Sequence, residues 1–129
     1  MTWYLKGKKS YVGLSYGSWK FAGASTISGG GLSASHTSTV SNTYSGQLNI
    51  PIRELNYHIG FNTTKSYSKT VSYSTKTYPH GRYRLEYRHV YKKYKVKQIK
   101  AYHPRGKVYD TKYVYPKKWV ERQYRVVKF

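Results

Sequence analysis

The sequence predicts an all-β fold: an elongated antiparallel sheet or sandwich with one long Ser/Thr-rich β-hairpin and a C-terminal basic β-meander. Three observations carry that prediction. The chain holds 17 tyrosines and no sustained apolar spacing at three and four residues, a bias toward strand-forming side chains over amphipathic helices. Strict two-residue alternation runs through 33–49 and again through 55–77, the period of a strand with two chemically different faces. Glycine and proline punctuate these runs at Gly29-Gly30-Gly31, Pro51, Pro79-His80-Gly81, Pro104 and Pro116, where turns belong. Almost no helix is expected.

A chain of 129 residues reads as a single domain, 1–129, in three parts. Residues 1–28 hold N-terminal strands, 29–80 a glycine hinge with the long hairpin, and 81–129 the basic, tyrosine-rich meander. The chemistry divides the same way: residues 21–80 contain twenty Ser and Thr and 81–129 contain one, Thr111, whereas 81–129 carry 16 of the 24 basic side chains.

In the first part, short strands are expected around Tyr11–Tyr16 and Trp19–Ile27. The glycine triplet after them reads as a hinge. A phosphate-cradling glycine loop needs a helix directly after it, and here a strand pattern follows.

The hairpin rests on two patterns that agree. Odd positions from Ser33 to Asn49 are all small and polar, and even positions grade toward Leu48 and Ile50. From Leu55 the even positions are the polar ones, and the odd ones begin Leu55, Tyr57, Ile59, Phe61. With Pro51-Ile52-Arg53-Glu54 as the connecting loop, antiparallel pairing sets Ile50 opposite Leu55, Leu48 opposite Tyr57, Gly46 opposite Ile59 and Tyr44 opposite Phe61. Ser41 then meets Thr64, Thr39 meets Ser66, Thr37 meets Ser68, Ser35 meets Thr70 and Ser33 meets Ser72, and a slip of one residue would put every pair on the wrong face.

The meander begins at Arg82. Tyr83, Leu85 and Tyr87 share a face opposite Arg82, Arg84 and Arg88, and the phase is lost near Val90, where a bulge or bend is expected. A turn at His103-Pro104-Arg105-Gly106 and another at Pro116-Lys117-Lys118 would divide the rest into strands 107–115 and 119–127.

Charge narrows the function. With 24 Lys and Arg against Glu54, Glu86, Asp110 and Glu121, the net charge is +20, which points to an anionic partner: an anionic membrane surface, an acidic cell-wall polymer or nucleic acid. The absence of cysteine excludes disulfides, thiol catalysis and cysteine-bound zinc. The opening MTWYLKGKKS has no apolar signal core, and no run of ~18 apolar residues occurs. Met1 reads equally as a native start or as one preceding a mature secreted form, and an extracellular location is the expectation. The four acids form no carboxylate pair, and the five histidines show no metal-ligand spacing, so neither enzymatic activity nor a cofactor or metal is expected. Asn62-Thr63-Thr64 is a glycosylation sequon of the kind that a Ser/Thr-rich strand produces by chance.

The candidate anion-binding residues are Arg82, Arg84, Arg88, Lys92, Lys93, Lys95 and Lys97. In Tyr91-Lys92-Lys93-Tyr94-Lys95-Val96-Lys97, aromatics interleave with cations, as in proteins that stack and hold single-stranded nucleic acid. A solvated basic strand over packed tyrosines gives the same text.

The segments SHTSTVSNTYSGQLN, IGFNTTKSYSKTVSYSTKT and YPHGRYRLEYRHVY, together spanning about residues 33–95, resemble in composition the pore-forming module of the aerolysin family, including its epsilon-toxin and mosquitocidal-toxin branch. The resemblance implies long Ser/Thr-rich strands flanking an amphipathic hairpin, assembly into a homo-oligomer, and a membrane barrel lined by hydroxyls. By position, Tyr44, Leu48, Ile50, Leu55, Tyr57, Ile59 and Phe61 would then face lipid, and Gln47, Asn49, Asn56 and His58 would face water. The sequence thus suggests a secreted cationic binding protein of anionic cell surfaces, with pore formation or membrane perturbation, as in a toxin or antibacterial protein, as the activity that the resemblance implies. A self-assembling surface or coat protein and a nucleic-acid-binding module are the alternatives.

Overall fold

In the computed structural model, residues 2–102 and 107–129 are described, except for the side chains of His36, Thr37, Ser38, Lys69 and Val71. The chain is all-β apart from one short helix. Its strands are β1 (Thr2–Tyr16), β2 (Lys20–Thr26), β3 (Ser33–Ser41), β4 (Thr43–Gly46), β5 (Ser66–Ser74), β6 (Tyr83–Ala101) and β7 (Val108–Lys128), with helix α1 (Ile52–Ile59) between β4 and β5. β1, β6, β7 and β4 are hydrogen-bonded in that order, β2 also pairs with β6, and β3 and β5 form a separate two-stranded sheet. Two compact units result. The first comprises Met1–Ser15, Ser41–Ser66 and Tyr91–Trp119, the second Tyr16–Val40, Tyr67–Val90 and Val120–Phe129.

In the first unit, α1 covers one face of the sheet. Leu55 and Ile59 are fully buried with Ile50, Val96 and Val114, and Trp3, Leu5, Tyr44, Leu48 and Phe61 pack around them. This corrects the long hairpin. Residues 52–59 are helical, so Ile50, Leu48, Gly46 and Tyr44 do not pair with Leu55, Tyr57, Ile59 and Phe61; β4 instead pairs with β7, Tyr44 opposite Pro116. Leu55 and Ile59 are four apart and satisfy both a strand's alternation and a helix's turn, and Ile52 extends the helical stripe. Tyr57 breaks the tie: it is 92% exposed, on the helix's outer face. The helix ends are well formed. The Pro51 carbonyl accepts from the Leu55 and Glu54 amides, Glu54 sits in the first turn where the dipole favours an acid, and Gly60 adopts the left-handed conformation at φ 82° while its N–H bonds to the Asn56 carbonyl. Eight residues are too few for a stable isolated helix, so packing of Leu55 and Ile59 holds it.

The polar segment before the helix leaves the strand for an identifiable reason. Gln98, fully buried on β6, donates Nε2–H to the Gln47 carbonyl at 2.8 Å and accepts the Asn49 amide on Oε1 at 2.8 Å. Asn42, buried between β3 and β4, accepts the Trp119 amide on Oδ1 at 2.8 Å and donates Nδ2–H to the Asn62 carbonyl at 2.9 Å. These bonds replace the sheet ladder for backbone that would otherwise be buried unpaired.

In the second unit, β3 and β5 do pair, two residues away from the expected register. Ser72 Oγ lies 3.3 Å from Ser35 Oγ, and the Thr75 amide donates to the Leu32 carbonyl. Ser35 therefore meets Ser72 rather than Thr70, and a shift of two leaves each side chain on its expected face. The Asn42 amide bonds to the Lys65 carbonyl in the same phase in the first unit. The Thr37–Ser68 pair and the turn at His103–Gly106 lie outside the described residues. A small core of Ala22, Leu32, Tyr83 and Leu85 sits beneath, with Tyr87, Tyr124 and Val126 packed on it.

The meander has two long strands where three were expected. β7 runs unbroken through Pro116-Lys117-Lys118, with Pro116 buried. Proline's fixed φ is compatible with extended backbone, and its missing donor removes at most one ladder bond. The loss of phase near Val90 has a structural counterpart. In the second unit Arg88 bonds to Gln123 and Glu86 to Arg125, even β6 residues beside odd β7 residues. In the first unit Lys93 and Lys95 lie over Tyr115 and Tyr113, odd beside odd. β6 and β7 therefore change register by an odd number of residues between Arg88 and Lys93, as a bulge produces.

Candidate anion-binding site

The seven candidate cations divide between the units. Arg82, Arg84 and Arg88 belong to the second, Lys92, Lys93, Lys95 and Lys97 to the first.

The arginines are engaged by the protein. Glu86, with its side chain 9% exposed, receives Arg125 Nε and Nη2, both at 2.8 Å, and Arg84 Nε at 3.3 Å. Arg88 donates Nε–H to Gln123 Oε1 at 3.0 Å, and its guanidinium lies 4.0 Å from the Tyr16 ring and 4.5 Å from the Trp19 ring; Arg125 lies 4.2 Å from the same indole. Tyr16, Arg88, Trp19 and Arg125 thus form a cation–aromatic ladder that fixes guanidinium planes while leaving edges exposed. Arg82 is exposed just before β6, and its carbonyl accepts the Phe129 amide. On the opposite face, burial first, then Arg122 and Lys20, hold the His89 imidazole below its ordinary pKa. Burial raises the Tyr124 hydroxyl.

The first unit offers a different surface. Lys95 and Lys97 on β6 meet Lys6 and Lys8 on β1 in a solvent-open cleft of about 290 Å³, completed by Ser10 and Tyr113. Lys95 Nζ sits 4.2 Å from the Tyr113 ring and Lys93 Nζ 4.9 Å from the Tyr115 ring. No carboxylate lines the cleft, and among the described residues none of its four lysines has an ion pair. Lys92 is exposed beside it in sequence. β1 is held at this point by His58 of α1, whose Nε2 lies 2.7 Å from the carbonyl oxygen of Gly7, between the two lysines. Lys9 is directed elsewhere: it donates to the Ile59 carbonyl at the helix C-terminus and lies over Phe61 and Tyr94.

The interleaving of Tyr91, Tyr94 and the lysines separates by face. Tyr94 packs with Phe61 and Tyr11, 5.7 Å from each, away from the cleft that Lys95 lines. Burial raises the Tyr91 hydroxyl above its usual pKa. Aromatic rings that do lie beside the lysines, Tyr113 and Tyr115, each carry an ammonium over the ring.

No family model, curated protein or solved structure matches this chain. Among the described residues, no group of three His, Cys, Asp or Glu could hold a metal, and no helix is long and apolar enough to cross a membrane. Of the seven residues assigned to lipid, Ile50, Leu55 and Ile59 are buried in the first core, Tyr44, Leu48 and Phe61 pack against it, and Tyr57 is exposed. Sequence reading misses Lys6, Lys8 and Ser10 because it starts the first strand at Tyr11. Trp3 and Leu5 alternating with Lys6 and Lys8 is the available signal.

Proposed function

We propose that this chain is a secreted, non-enzymatic cationic protein that attaches to an anionic cell surface, membrane or wall polymer, through the lysine face formed by β1, β6 and β7. The observation that supports it is the cleft of Lys6, Lys8, Lys95 and Lys97, four ammonium groups with no facing carboxylate. In water such a cluster repels itself, and an anionic partner relieves that repulsion. The arginines of the second unit support it less, because Glu86 and Gln123 already engage Arg84, Arg88 and Arg125. Base stacking needs open ring faces, and an ammonium lies over one face of each of the rings nearest the lysines, Tyr113 and Tyr115, where it competes with a nucleobase for that face. Pore formation in the aerolysin manner would require Leu55 and Ile59 to leave a core in which both are fully buried, which favours attachment.

The test is binding to anionic vesicles, to phosphate-bearing wall polymer and to single-stranded nucleic acid over a salt series. Attachment should weaken steeply with salt. Neutralising Lys92, Lys93, Lys95 and Lys97 together should cost far more than neutralising Arg82, Arg84 and Arg88. Equal losses for the two sets, or much tighter binding of nucleic acid at equal salt, would overturn the proposal.

A further inference from the structure

We infer that the cleft between β1 and β6 is a specific seat for clustered phosphoryl groups, as in a polyphosphate chain or a polyphosphorylated lipid headgroup, with Lys6, Lys8, Lys95 and Lys97 as its ligands. The inference rests on the surface-binding reading and adds to it a particular site and chemistry.

Three observations converge. The lysines come in two pairs, each pair two residues apart on its own strand, and the strands are hydrogen-bonded neighbours. Two residues of strand span ~6.7 Å and paired strands lie ~4.8 Å apart, so the four side chains root in a patch of a few ångströms on a side. Second, the cleft is open to solvent, with a volume of about 290 Å³, so it can seat a few successive phosphoryl groups while the rest of a chain or headgroup stays outside. Third, the remaining lining groups are hydroxyls, Ser10 and Tyr113, which donate to phosphoryl oxygens without adding charge. Four positive charges this close are best compensated by several negative charges equally close, and successive phosphoryl groups supply them. Isolated charges spread along a surface do not. The site is also built to persist: His58 holds β1 at the Gly7 carbonyl between Lys6 and Lys8, and Tyr113 holds Lys95.

The experiment titrates the full chain with sodium tripolyphosphate by calorimetry at 150 mM salt, with orthophosphate as the isolated-group control. The variants are Lys6→Gln/Lys8→Gln, Lys95→Gln/Lys97→Gln, Lys6→Arg/Lys8→Arg, and Lys117→Gln/Lys118→Gln, the last matching the charge change outside the cleft. Circular dichroism checks that each is folded, and the arginine pair provides a charge-retaining substitution of the same strand. Saturable binding with one tripolyphosphate per chain is expected, far tighter than orthophosphate. Each cleft double substitution to glutamine should weaken it about 10- to 30-fold, while the arginine pair and the Lys117/Lys118 pair should stay within about threefold. Equal loss in the Lys117/Lys118 pair, or binding no tighter than orthophosphate, would overturn the inference.

A second arm separates the sources. Vesicles carrying phosphatidylinositol bisphosphate are compared with phosphatidylserine vesicles matched in total charge. Preference for the former that tripolyphosphate abolishes identifies a headgroup as a ligand of this cleft. Equal vesicle binding together with tight tripolyphosphate binding identifies a soluble or wall-borne phosphate chain. If vesicles bind with no preference and tripolyphosphate does not bind, the clustered-phosphate site is wrong and surface attachment stands. If no anion binds at low salt, both fail.

Discussion

Substituting Leu55 and Tyr57 in turn separates the helix from the strand that the same residues spell. In a hairpin the two side chains share a face and should cost alike. In the fold described above, Leu55 is fully buried among Ile50, Ile59, Val96 and Val114, whereas Tyr57 is 92% exposed. Leu55→Ala removes most of a buried isobutyl group and leaves a cavity between helix and sheet, a change that costs about 2–5 kcal/mol. The upper half of that range is expected, because the sheet beneath cannot collapse into the space. Tyr57→Ala touches no core and should stay within about 0.5 kcal/mol of the parent. At roughly 3–5 °C per kcal/mol for a chain of this size, interpolating between smaller and larger domains, Leu55→Ala should melt about 10–25 °C lower and Tyr57→Ala within a few degrees. Urea unfolding followed by tryptophan fluorescence reports it. Trp3 and Trp119 belong to the same unit as the helix, so the loss should appear in their signal. Equal destabilisation by the two substitutions would refute the helix-on-sheet reasoning.

Asn42→Leu should destabilise by about 1–3 kcal/mol in urea, since it removes the side chain that accepts the Trp119 amide at 2.8 Å and donates to the Asn62 carbonyl at 2.9 Å, which keeps the Lys65 amide as a donor; a loss below about 0.5 kcal/mol would show that water replaces the side chain. Gly29→Ala should cost about 1–3 kcal/mol or more, because φ is +85° there and an added Cβ would lie 2.4 Å from the Pro79 carbonyl oxygen. An unchanged melt would contradict that close approach. His89 is held below the ordinary histidine value of 6.5, chiefly by burial, so the unfolded chain binds its proton more readily. Stability should therefore be full above about pH 6.5 and decline as pH falls through the lowered folded value. His89→Gln should flatten that decline in melts from about pH 7.5 to 5, and an unchanged slope would remove His89 as its cause.

Much of this fold is legible in the sequence because a two-residue period survives local errors of register. Ser33, Ser35 and Ser72 fall on the correct faces although the β3–β5 register is two residues away from the expected one, and the loss of phase near Val90 marks the place where β6 and β7 change register. The helix is not legible from alternation alone, since Leu55 and Ile59 fit both periods. Its end signals are present in Pro51, Glu54 and Gly60, and they outweigh an alternation of four residues when tertiary packing can bury the stripe. Pro116 misleads for the opposite reason: a local turn signal yields to a long strand that tolerates one missing donor. For the site, composition supplies the sign of the partner, and β6 supplies Lys95 and Lys97. Lys6 and Lys8 require the sheet order, which places β1 beside β6 although more than 80 residues lie between the two pairs in sequence.

The two kinds of cation point to different tasks. Arginine offers a planar fork that can pair with a carboxylate and stack on rings at once, and in the second unit Arg84, Arg88 and Arg125 are used in these ways, against Glu86, Gln123, Tyr16 and Trp19. Their guanidinium groups help to hold neighbouring strands together, and Glu86 compensates one of the three charges. Lysine is a hydrated point charge on a flexible stem, a poor choice for fixing strands and a good one for meeting an anion of variable geometry. The cleft residues Lys6, Lys8, Lys95 and Lys97 are all lysines, without a carboxylate among them. A chain seeking only solubility could have scattered acids through this face at no cost to its core. It carries Glu54 and Asp110 as the only acids of that unit, and neither lines the cleft. Uncompensated charge of this kind destabilises the free protein and is recovered when an anion arrives, so added polyanion should raise the melting temperature more than an equal ionic strength of simple salt.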